Sequence, residues 1–433
     1  MLCLTQMLSA IWSVQSLLVA IALLMGGAGA IGTIASSRLE TAGAPALAIG
    51  LIATGYFAGL TLGALRAPAV VRRVGHIRAF AAFVALLSAS TLAYSLHQSG
   101  GFWLVLRFID GLCVAGVYVC LESWLSERAE PTRRGGVLAA YMIALYGGQA
   151  LGQFQLNLGG GVTGMPFVSA SILISLAIIP IVLTRAVSPA IADHPSLALS
   201  RLYTMSPLGL VGAAIVGLML GAFYGLAAVY AQRQGFSLAE TASFISAAII
   251  GGVALQWPLG WLSDLLDRRS VIVGVFAGAM LSAAALALPL SALSALVFVT
   301  LFGGFSFALY PLCVAHTQDH VRPEHRVAAS GGLVLVYSAG AAVGPLAGAA
   351  SLQTFGPGGL FAFIAACGAA ALVFALWRVT ARAAVPNALQ RAFQILPRTT
   401  PISAKLDPIA EHPDADGSGS ATETLATHVG KQS

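Results

Sequence analysis

The chain has 433 residues and a formal net charge of +6, and 58% of its residues are hydrophobic while only 9% are charged. Soluble globular domains carry about 25% charged residues, and the mean hydropathy here is +0.87. These values exclude an ordinary soluble enzyme or binding domain and predict an integral membrane protein.

Apolar runs predict twelve membrane-spanning helices, because each span needs roughly 20 mostly apolar residues. The run from Leu8 to about Ile34 is longer than the apolar core of a cleavable signal, so we expect a retained first span. The first six spans are predicted near 10–35, 46–66, 77–97, 101–124, 136–158 and 163–184. The other six are predicted near 207–231, 239–263, 270–290, 292–317, 328–350 and 357–379.

Breaks in composition divide these spans into two groups. Residues 1–185 are predicted to form an amino-terminal six-helix bundle, and residues 207–380 a carboxy-terminal one. A cytoplasmic linker is predicted over 186–206. Residues 381–433 are rich in proline, glycine and serine, which predicts a disordered cytoplasmic tail. Apolar residues around Phe393 suggest one short helix on the membrane surface.

Basic residues predict the orientation in the membrane. Of the 22 Lys and Arg residues, 19 lie in the tail or in the loops that follow even-numbered spans. Only Arg38 and Arg233 lie in loops on the other side, and Arg107 lies within a span. Because Lys and Arg are retained on the cytoplasmic face, both termini should be cytoplasmic. The basic charge therefore reflects topology, and no nucleic-acid partner is expected.

A charged segment between spans eight and nine is the most distinctive motif. Its sequence is Gly260-Trp-Leu-Ser-Asp264-Leu-Leu-Asp267-Arg268-Arg269. A weaker copy between spans two and three reads Gly63-Ala-Leu-Arg66-Ala67-Pro68-Ala-Val-Val-Arg72-Arg73. The repetition predicts two similar halves. Ala67 takes the place of Asp264, so the first copy lacks that carboxylate.

The segment that begins at Gly260 resembles the loop signature of the major facilitator superfamily, Gly-x-Leu-x-Asp-x-x-(Gly/Asp)-Arg-(Arg/Lys). Two further stretches are similar to patterns of that family, Arg107-Phe-Ile-Asp110-Gly111 on span four and Gly340-Ala-Ala-Val-Gly344-Pro345-Leu-Ala-Gly348 on span eleven. The resemblance covers roughly residues 8–380. Three shorter stretches are similar to a bacterial branch of the family whose substrates are largely unassigned: Gly55-Tyr56-Phe57-Ala58-Gly59, Glu122-Ser123-Trp124-Leu125 and Gly152-Gln153. The resemblance implies an all-α integral membrane fold, with twelve transmembrane helices in two pseudo-symmetric six-helix bundles, in the bacterial inner membrane.

The resemblance also implies a gating role for the charged segment. In this interpretation, Asp264 accepts hydrogen bonds at the start of span eleven, near Val327, and holds the cytoplasmic side shut while the cavity faces outward. The alternative is that the basic residues only anchor the topology. The gating candidates are Gly260, Asp264, Asp267, Arg268, Arg269, Arg72 and Arg73.

Span four carries the costly charges. Arg107 and Asp110 are three residues apart and share a helix face. Ionised groups at this depth cost about 2.5–3.5 kcal/mol each, so both should face the protein interior or a wet cavity. Asp110 is interpreted either as a carboxyl that takes up and releases a proton or as a permanent neutralising partner of Arg107. Glu122 is a third proton-coupling candidate, with a structural role as its alternative.

Polar and aromatic residues within spans are candidates for the substrate cavity. Residues of span five recur at spacings of three or four, which keeps them on one helix stripe, and interhelical hydrogen bonding is their alternative role. The cavity candidates are Tyr146, Gln149, Gln153, Asn157, Gln256, Trp257 and Tyr310.

Together these patterns predict a secondary active transporter that moves a small solute by alternating access, with proton coupling through the buried carboxyl. An uncoupled facilitator is the alternative, followed by a membrane enzyme or a permease subunit. The sequence contains no Gly-x-x-x-x-Gly-Lys-(Ser/Thr) and no Cys-x-x-Cys. We therefore expect no enzymatic activity, no cofactor and no metal. The expected partners are a small solute, protons and the lipid bilayer, and the chain is expected to be a monomer.

Overall fold

The structure is a computed structural model that describes residues 2–128, 134–161, 164–184, 198–322, 325–381, 390–394 and 397–399. Within these residues, every regular element is a helix. The predicted all-α fold class is confirmed. Residues 186–197, which are most of the predicted linker, lie outside the described residues.

The first half is built from long helices that cross the molecule in alternating directions. Its helices are α1 (Leu2–Thr41), α2 (Ala46–Val74), α3 (His76–Ala93), α4 (Gly100–Arg128), α5 (Arg134–Gly152), a 3-10 helix (Gln153–Gly161), α6 (Met165–Leu176) and α7 (Ile178–Val182). The predicted sixth span is thus broken at Ala177. Pro180 explains the break, because a proline clashes with the carbonyl four residues before it and donates no hydrogen bond.

The second half repeats this arrangement after a short helix at its entry. Its helices are α8 (Leu199–Met205), α9 (Pro207–Arg233), α10 (Leu238–Leu265), α11 (Arg268–Leu286), α12 (Ala292–Gln318), α13 (Arg326–Phe355) and α14 (Gly359–Ala381). Side chains define several starts: Ser237 and Glu240 form a reciprocal capping box on α10, and Ser291 caps α12.

Eleven helices of the described residues are long and apolar enough to cross a membrane. The predicted span that is not among them is α5. Its 19 residues include Tyr141, Tyr146, Gln149 and several glycines, which lower its hydropathy. A Cβ atom added at Gly148 would lie 2.4 Å from the Ala22 carbonyl oxygen, so α5 packs closely along α1. This close packing gives α5 a place inside the bundle.

Small residues bring corresponding helix pairs of the two halves into backbone contact. In the first half, a Cβ atom at Gly59 of α2 would lie 2.0 Å from the Phe108 carbonyl oxygen of α4. In the second half, a Cβ atom at Gly303 of α12 would lie 1.9 Å from the Ala248 carbonyl oxygen of α10. Glycine at such positions allows helices to approach without a void. The similar pairs reflect the repetition seen in the sequence.

The molecule has two ends that differ in charge. The basic face is the end at which α2, α4, α10 and α12 finish, and the opposite face is the end at which α1 and α9 finish. The halves are joined near the opposite face by a two-pronged ion pair between Arg233 and Glu40, with nitrogen to oxygen distances of 2.7 and 3.0 Å. Thr54 on α2 also donates to the Ala342 carbonyl on α13 at 2.8 Å.

Candidate functional site

A central cavity of about 140 Å³ lies between the two halves. Its walls come from α1, α2, α4 and α5 of the first half and from α9 and α13 of the second. Several aromatic side chains line it: Tyr56, Tyr118, Tyr146, Tyr224 and Tyr337. The cavity therefore combines apolar ring surfaces with hydroxyl groups that can orient a solute.

Arg107 is the charged residue of α4 that reaches this cavity. Its Cζ atom lies 4.3 Å from the centroid of the Tyr56 ring, a cation–π contact. Its Nη1 atom lies 3.6 Å from Oδ2 of Asp110. Arg107 therefore contacts the cavity on one side and the buried carboxyl on the other.

Asp110 lies behind Arg107 and is 1% exposed. Ser90 donates its hydroxyl to Oδ1 at 2.7 Å, and Tyr94 donates its hydroxyl to Oδ2 at 2.6 Å. These donors stabilise the ionised carboxylate and tie α4 to the carboxy-terminal end of α3. The 3.6 Å separation makes the Arg107 contact weaker than a direct charge-assisted hydrogen bond.

Glu122 is fully buried near the basic end of α4. Tyr141 of α5 places its hydroxyl 3.5 Å from Oε1 of Glu122. Thr399 of the tail donates its hydroxyl to the same oxygen. Glu122 therefore links α4, α5 and a tail residue that lines the cavity.

The polar stripe predicted on α5 is divided between two roles. Tyr146 and Gln149 line the cavity. Gln153 is 1% exposed: its Oε1 accepts from Thr33 at 2.7 Å, and its Nε2 donates to the Gly29 carbonyl at 3.1 Å. The interhelical alternative thus describes Gln153, which joins the start of the 3-10 helix to α1 and is not among the cavity-lining residues.

Two cavity candidates face outward, which corrects their predicted position. Asn157 is exposed because α5 gives way to a 3-10 helix, whose three residues per turn rotate the stripe. Trp257 is 66% exposed, and Trp261 one turn later is 55% exposed. Since these rings lie on the outer surface of a membrane helix, they would contact lipid.

The remaining two candidates are buried outside the cavity lining. Gln256 is 4% exposed and Tyr310 is 1% exposed. The Tyr310 ring packs edge-on against Tyr337 with 5.2 Å between centroids. Tyr310 therefore supports a cavity-lining ring and does not itself line the cavity.

The charged segment after α10 forms a compact ion cluster at the basic face. Arg268 is 1% exposed, and its Nη1 and Nη2 atoms lie 2.6 Å from Asp319 Oδ2 and 3.0 Å from Asp264 Oδ1. Nη2 also donates to the backbone carbonyl of Arg391 at 2.6 Å. Burial raises the pKa of Asp319, and the neighbouring Arg268 acts in the opposite direction.

The other predicted gating residues have local roles. Asp267 caps α11 by accepting from the Arg269 backbone N–H at 3.2 Å, and the two side chains form an ion pair at 3.2 Å. Arg72 and Arg73 are exposed at the end of α2. The predicted contact of Asp264 with the start of span eleven belongs to a conformation closed at the basic face and stays a prediction.

Residues of the tail lie against this ion cluster. The backbone N–H of Phe393 donates to both carboxylate oxygens of Asp264, at 2.9 and 3.0 Å. The Arg391 N–H donates to Asp319 Oδ1 at 3.1 Å. The Phe393 ring packs on Gly260, where an added Cβ atom would lie 2.1 Å from the ring. Gly260 is therefore required for this contact.

Residues 397–399 lie deeper, at the central cavity. The Cζ atom of Arg398 is 4.3 Å from the centroid of Phe307, and Nη2 is 3.5 Å from the Tyr224 hydroxyl oxygen. The structure describes residues 390–394 and 397–399 of the tail, whose predicted disorder stays a prediction. Buried carboxylates and aromatic rings hold these residues by binding their backbone N–H groups and the guanidinium.

Comparison with known proteins identifies the family. Residues 17–331 and 210–411 match the model described as Major Facilitator Superfamily. The chain belongs to the Major Facilitator Superfamily. Relatives include the uncharacterized MFS-type transporter YcaD of Salmonella enteritidis PT4, 30% identical over 357 residues, and that of Salmonella dublin, 31% identical over 359 residues. Each match covers 81% of this chain and 92% of the relative.

Solved structures share the fold of this superfamily member. They include a variant of the nucleoside transporter NupG, with a TM-score of 0.72 and 10% identity, over 85% of this chain and 99% of that one. A bacterial homolog of the human lysosomal transporter Spinster, inward-facing and occupied, has a TM-score of 0.69 and 18% identity. This match covers 84% of this chain and 96% of the homolog. A D-xylose-proton symporter has a TM-score of 0.62 and 14% identity, and the match covers 84% of this chain and 97% of the symporter.

Membership of the superfamily confirms the predicted family and the predicted fold of two six-helix bundles. The protein is a multi-pass membrane transporter, and its family and relatives are not enzymes. Sequence reasoning missed several residues of the site, among them Asp319, Tyr224, Tyr337 and Arg398. A tyrosine within an apolar run was a usable signal for Tyr224 and Tyr337, since it had selected Tyr146. Nothing in the tail sequence marks Arg398.

Proposed function

We propose that this superfamily member is a proton-coupled secondary transporter that binds a small solute in its central cavity and exchanges the cavity between the two sides of the membrane. The basic face is proposed to be cytoplasmic, as are both termini, in a bacterial inner membrane. The observation that carries the proposal is the cavity itself, which lies between two helical repeats that contact each other near the opposite face.

The contacts between the halves support alternating access. The Arg233–Glu40 pair and the Thr54 hydrogen bond join the halves at the ends of α1 and α9 and in the adjoining part of α2. These polar contacts accompany close packing of α2 on α13, where a Cβ atom added at Gly50 would lie 2.6 Å from the Pro345 carbonyl oxygen. Rocking of the halves would therefore require these two helices to slide or separate. Opening these contacts while the basic face closes would expose the cavity to the other side.

Arg107 supports the proposed proton coupling. Its guanidinium faces the cavity at Tyr56 and also lies 3.6 Å from Asp110. A solute that moves Arg107 relative to Asp110 would change the hold of the guanidinium on that carboxyl and so alter how readily the carboxyl takes up a proton. Proton uptake and solute binding would then be linked through one arginine.

The test begins with a thermal-shift screen of the purified protein against metabolite and drug libraries. Ligands that stabilise the protein would then be used for flux into proteoliposomes, with and without a pH gradient. We expect flux to increase with the gradient in wild type and to lose that dependence in Asp110→Asn, since an amide carries no titratable proton. Gln149→Ala should weaken binding, whereas Asn157→Ala, which changes an exposed amide, should not.

Each part of the proposal has its own contrary result. Flux that ignores the pH gradient and persists in Asp110→Asn would assign the protein to the uncoupled facilitators. Stabilising ligands that never cross the proteoliposome membrane would contradict transport of those solutes. Equal effects of Gln149→Ala and Asn157→Ala would remove the central cavity as the binding site.

A further inference from the structure

One side chain of the tail already occupies the central cavity as a ligand would. The Cζ atom of Arg398 lies 4.3 Å from the Phe307 centroid, 5.8 Å from that of Tyr337 and 5.9 Å from that of Tyr146. The Tyr224 hydroxyl lies 3.5 Å from its Nη2 atom. Three ring faces from α5, α12 and α13 and the Tyr224 hydroxyl from α9 thus surround one guanidinium, so both halves of the transporter contribute to the enclosure.

Aromatic rings arranged in this way favour a cation. The face of each ring carries negative partial charge, and a cation within about 6 Å of the centroid is attracted to it. The Phe307 ring also packs against Tyr146, with centroids 5.4 Å apart, and these two rings hold each other in place. The enclosure is therefore organised by ring packing as well as by the guanidinium.

The charges around the enclosure fit the same conclusion. Arg107, at another wall of the cavity, is paired with Asp110, which offsets its charge. Glu122 is fully buried and accepts a hydrogen bond from Thr399, the residue that follows Arg398. A buried carboxylate bound to the residue next to Arg398 favours a positively charged occupant at this position and disfavours an anion.

Contacts at the basic face hold the tail in position. Phe393 and Arg391 donate backbone hydrogen bonds to Asp264 and Asp319, and Arg268 binds the Arg391 carbonyl. Because these contacts keep the tail near the cavity entrance, Arg398 is present at a high effective concentration. A solute must displace it to reach the rings.

We propose that the cavity recognises a solute carrying a guanidinium or alkylammonium group, and that Arg398 occupies the position of that group until the solute displaces the tail. This inference rests on the proposed function, because it names the solute class for the same cavity. The tail acts as a competitor attached to the transporter, and removal of its guanidinium makes the site available.

The test measures binding to the purified full-length chain by calorimetry. The probes are agmatine, choline, the uncharged choline isostere 3,3-dimethyl-1-butanol and the anion 3,3-dimethylbutanoate. In Arg398→Ala, the affinity for agmatine or choline should rise about tenfold over wild type, because the competing occupant is gone. Lys405→Ala, which also removes one positive charge from the tail, should leave the affinity unchanged.

Variants of the rings test the cation class within the Arg398→Ala background. Phe307→Leu should weaken cation binding by about 2- to 30-fold, since it removes the nearest ring face. Tyr337→Leu should weaken it less, and Tyr337→Phe, which keeps the ring, should not. The melting temperature of each variant in detergent identifies any that fails to fold, and the Tyr337 pair still decides the question if Phe307→Leu does.

Several results would overturn the inference. If choline and its uncharged isostere bind equally, or if the anion binds more tightly, the proposal that the solute is a cation is wrong. Equal cation affinity in wild type, Arg398→Ala and Lys405→Ala would remove the competing role of Arg398. Proteoliposome flux separates this outcome from failure of the proposed function. Transport of a neutral or anionic solute overturns only the cation class, whereas tight cation binding without flux overturns only transport.

Discussion

Both halves of the protein bury an arginine beside an aspartate, but the two clusters differ in geometry and place. In the first half, Arg107 lies 3.6 Å from Asp110 and faces the central cavity. In the second half, Arg268 lies 2.6 Å from Asp319 at the basic face. The first cluster is loosely paired at the arginine, whereas the second is tightly paired and joins helices to the tail.

This difference indicates a division of labour between the halves. Arg107 contacts Tyr56 and can shift between the cavity and the carboxyl without breaking a short bond. Arg268 is held by Asp319, Asp264 and a backbone carbonyl, so any movement breaks several strong contacts at once. Proton coupling would then belong to the first cluster and gating to the second.

The largest effect is expected from Arg268→Ala. Removal of the guanidinium leaves Asp319 buried without its cation, and breaking a buried pair in this way costs about 3–5 kcal/mol. The melting temperature in detergent should therefore fall strongly. Arg269→Ala is the matched control, because its pair with Asp267 lies nearer the surface and should cost about 0–1 kcal/mol. Similar losses in the two variants would contradict the central role of Arg268.

Tyr94→Phe tests how strongly the hydrogen bond to Asp110 stabilises the first cluster. This change removes a 2.6 Å hydrogen bond to the Asp110 carboxylate and leaves the ring stacked on Phe167. A hydrogen bond to a charged group contributes about 1.5–3 kcal/mol, so stability should fall by that amount. The stability of Tyr141→Phe should fall by less, because this variant loses only a 3.5 Å contact to Glu122. The reverse order in a thermal-shift assay would show that Asp110 is not the better-bonded carboxyl.

Asp264→Asn tests the gating role of the second cluster. The asparagine amide still accepts a hydrogen bond from Phe393 but carries no charge. The tail should therefore bind to this position about 1 kcal/mol, or about fivefold, more weakly. Labelling of a Thr399→Cys reporter by a maleimide should accelerate by about that factor, and transport should slow while solute binding persists. Asp267→Asn keeps a good helix cap and should change neither. Unaltered transport in Asp264→Asn would remove the gate from this account.

The smallest effect is expected where the two halves meet. Glu40→Gln removes a partly exposed ion pair with Arg233, worth about 0–1 kcal/mol. The loss should shift the conformational equilibrium slightly away from closure of the opposite face, which spin-label distances across that face would detect. The charge swap Glu40→Arg with Arg233→Glu should restore the original distances. No recovery in the swap would mean that the pair does not hold the halves together.

Predictions from the sequence succeeded where a property depends on local pattern. The apolar runs and the charged segment at Gly260 predicted an all-α membrane protein and its family, because a helix in lipid must satisfy its own backbone and be apolar along its length. The substrate role of the cavity candidates stays a prediction, and the structure separates the candidates by position. Tyr146 and Gln149 line the cavity, but Gln153 faces α1 and Asn157 faces outward, since the helix changes to three residues per turn.

The sequence by itself therefore determined the membrane class, the all-α fold, the superfamily and the burial of Arg107 and Asp110. Only the tertiary structure decided which side chains meet. Asp319 joins Arg268 across 51 positions, and Arg398 reaches Phe307 across about 90, contacts that no local periodicity encodes. The reason is physical: a helical stripe specifies which residues share a face, whereas the packing of the helices specifies what that face contacts.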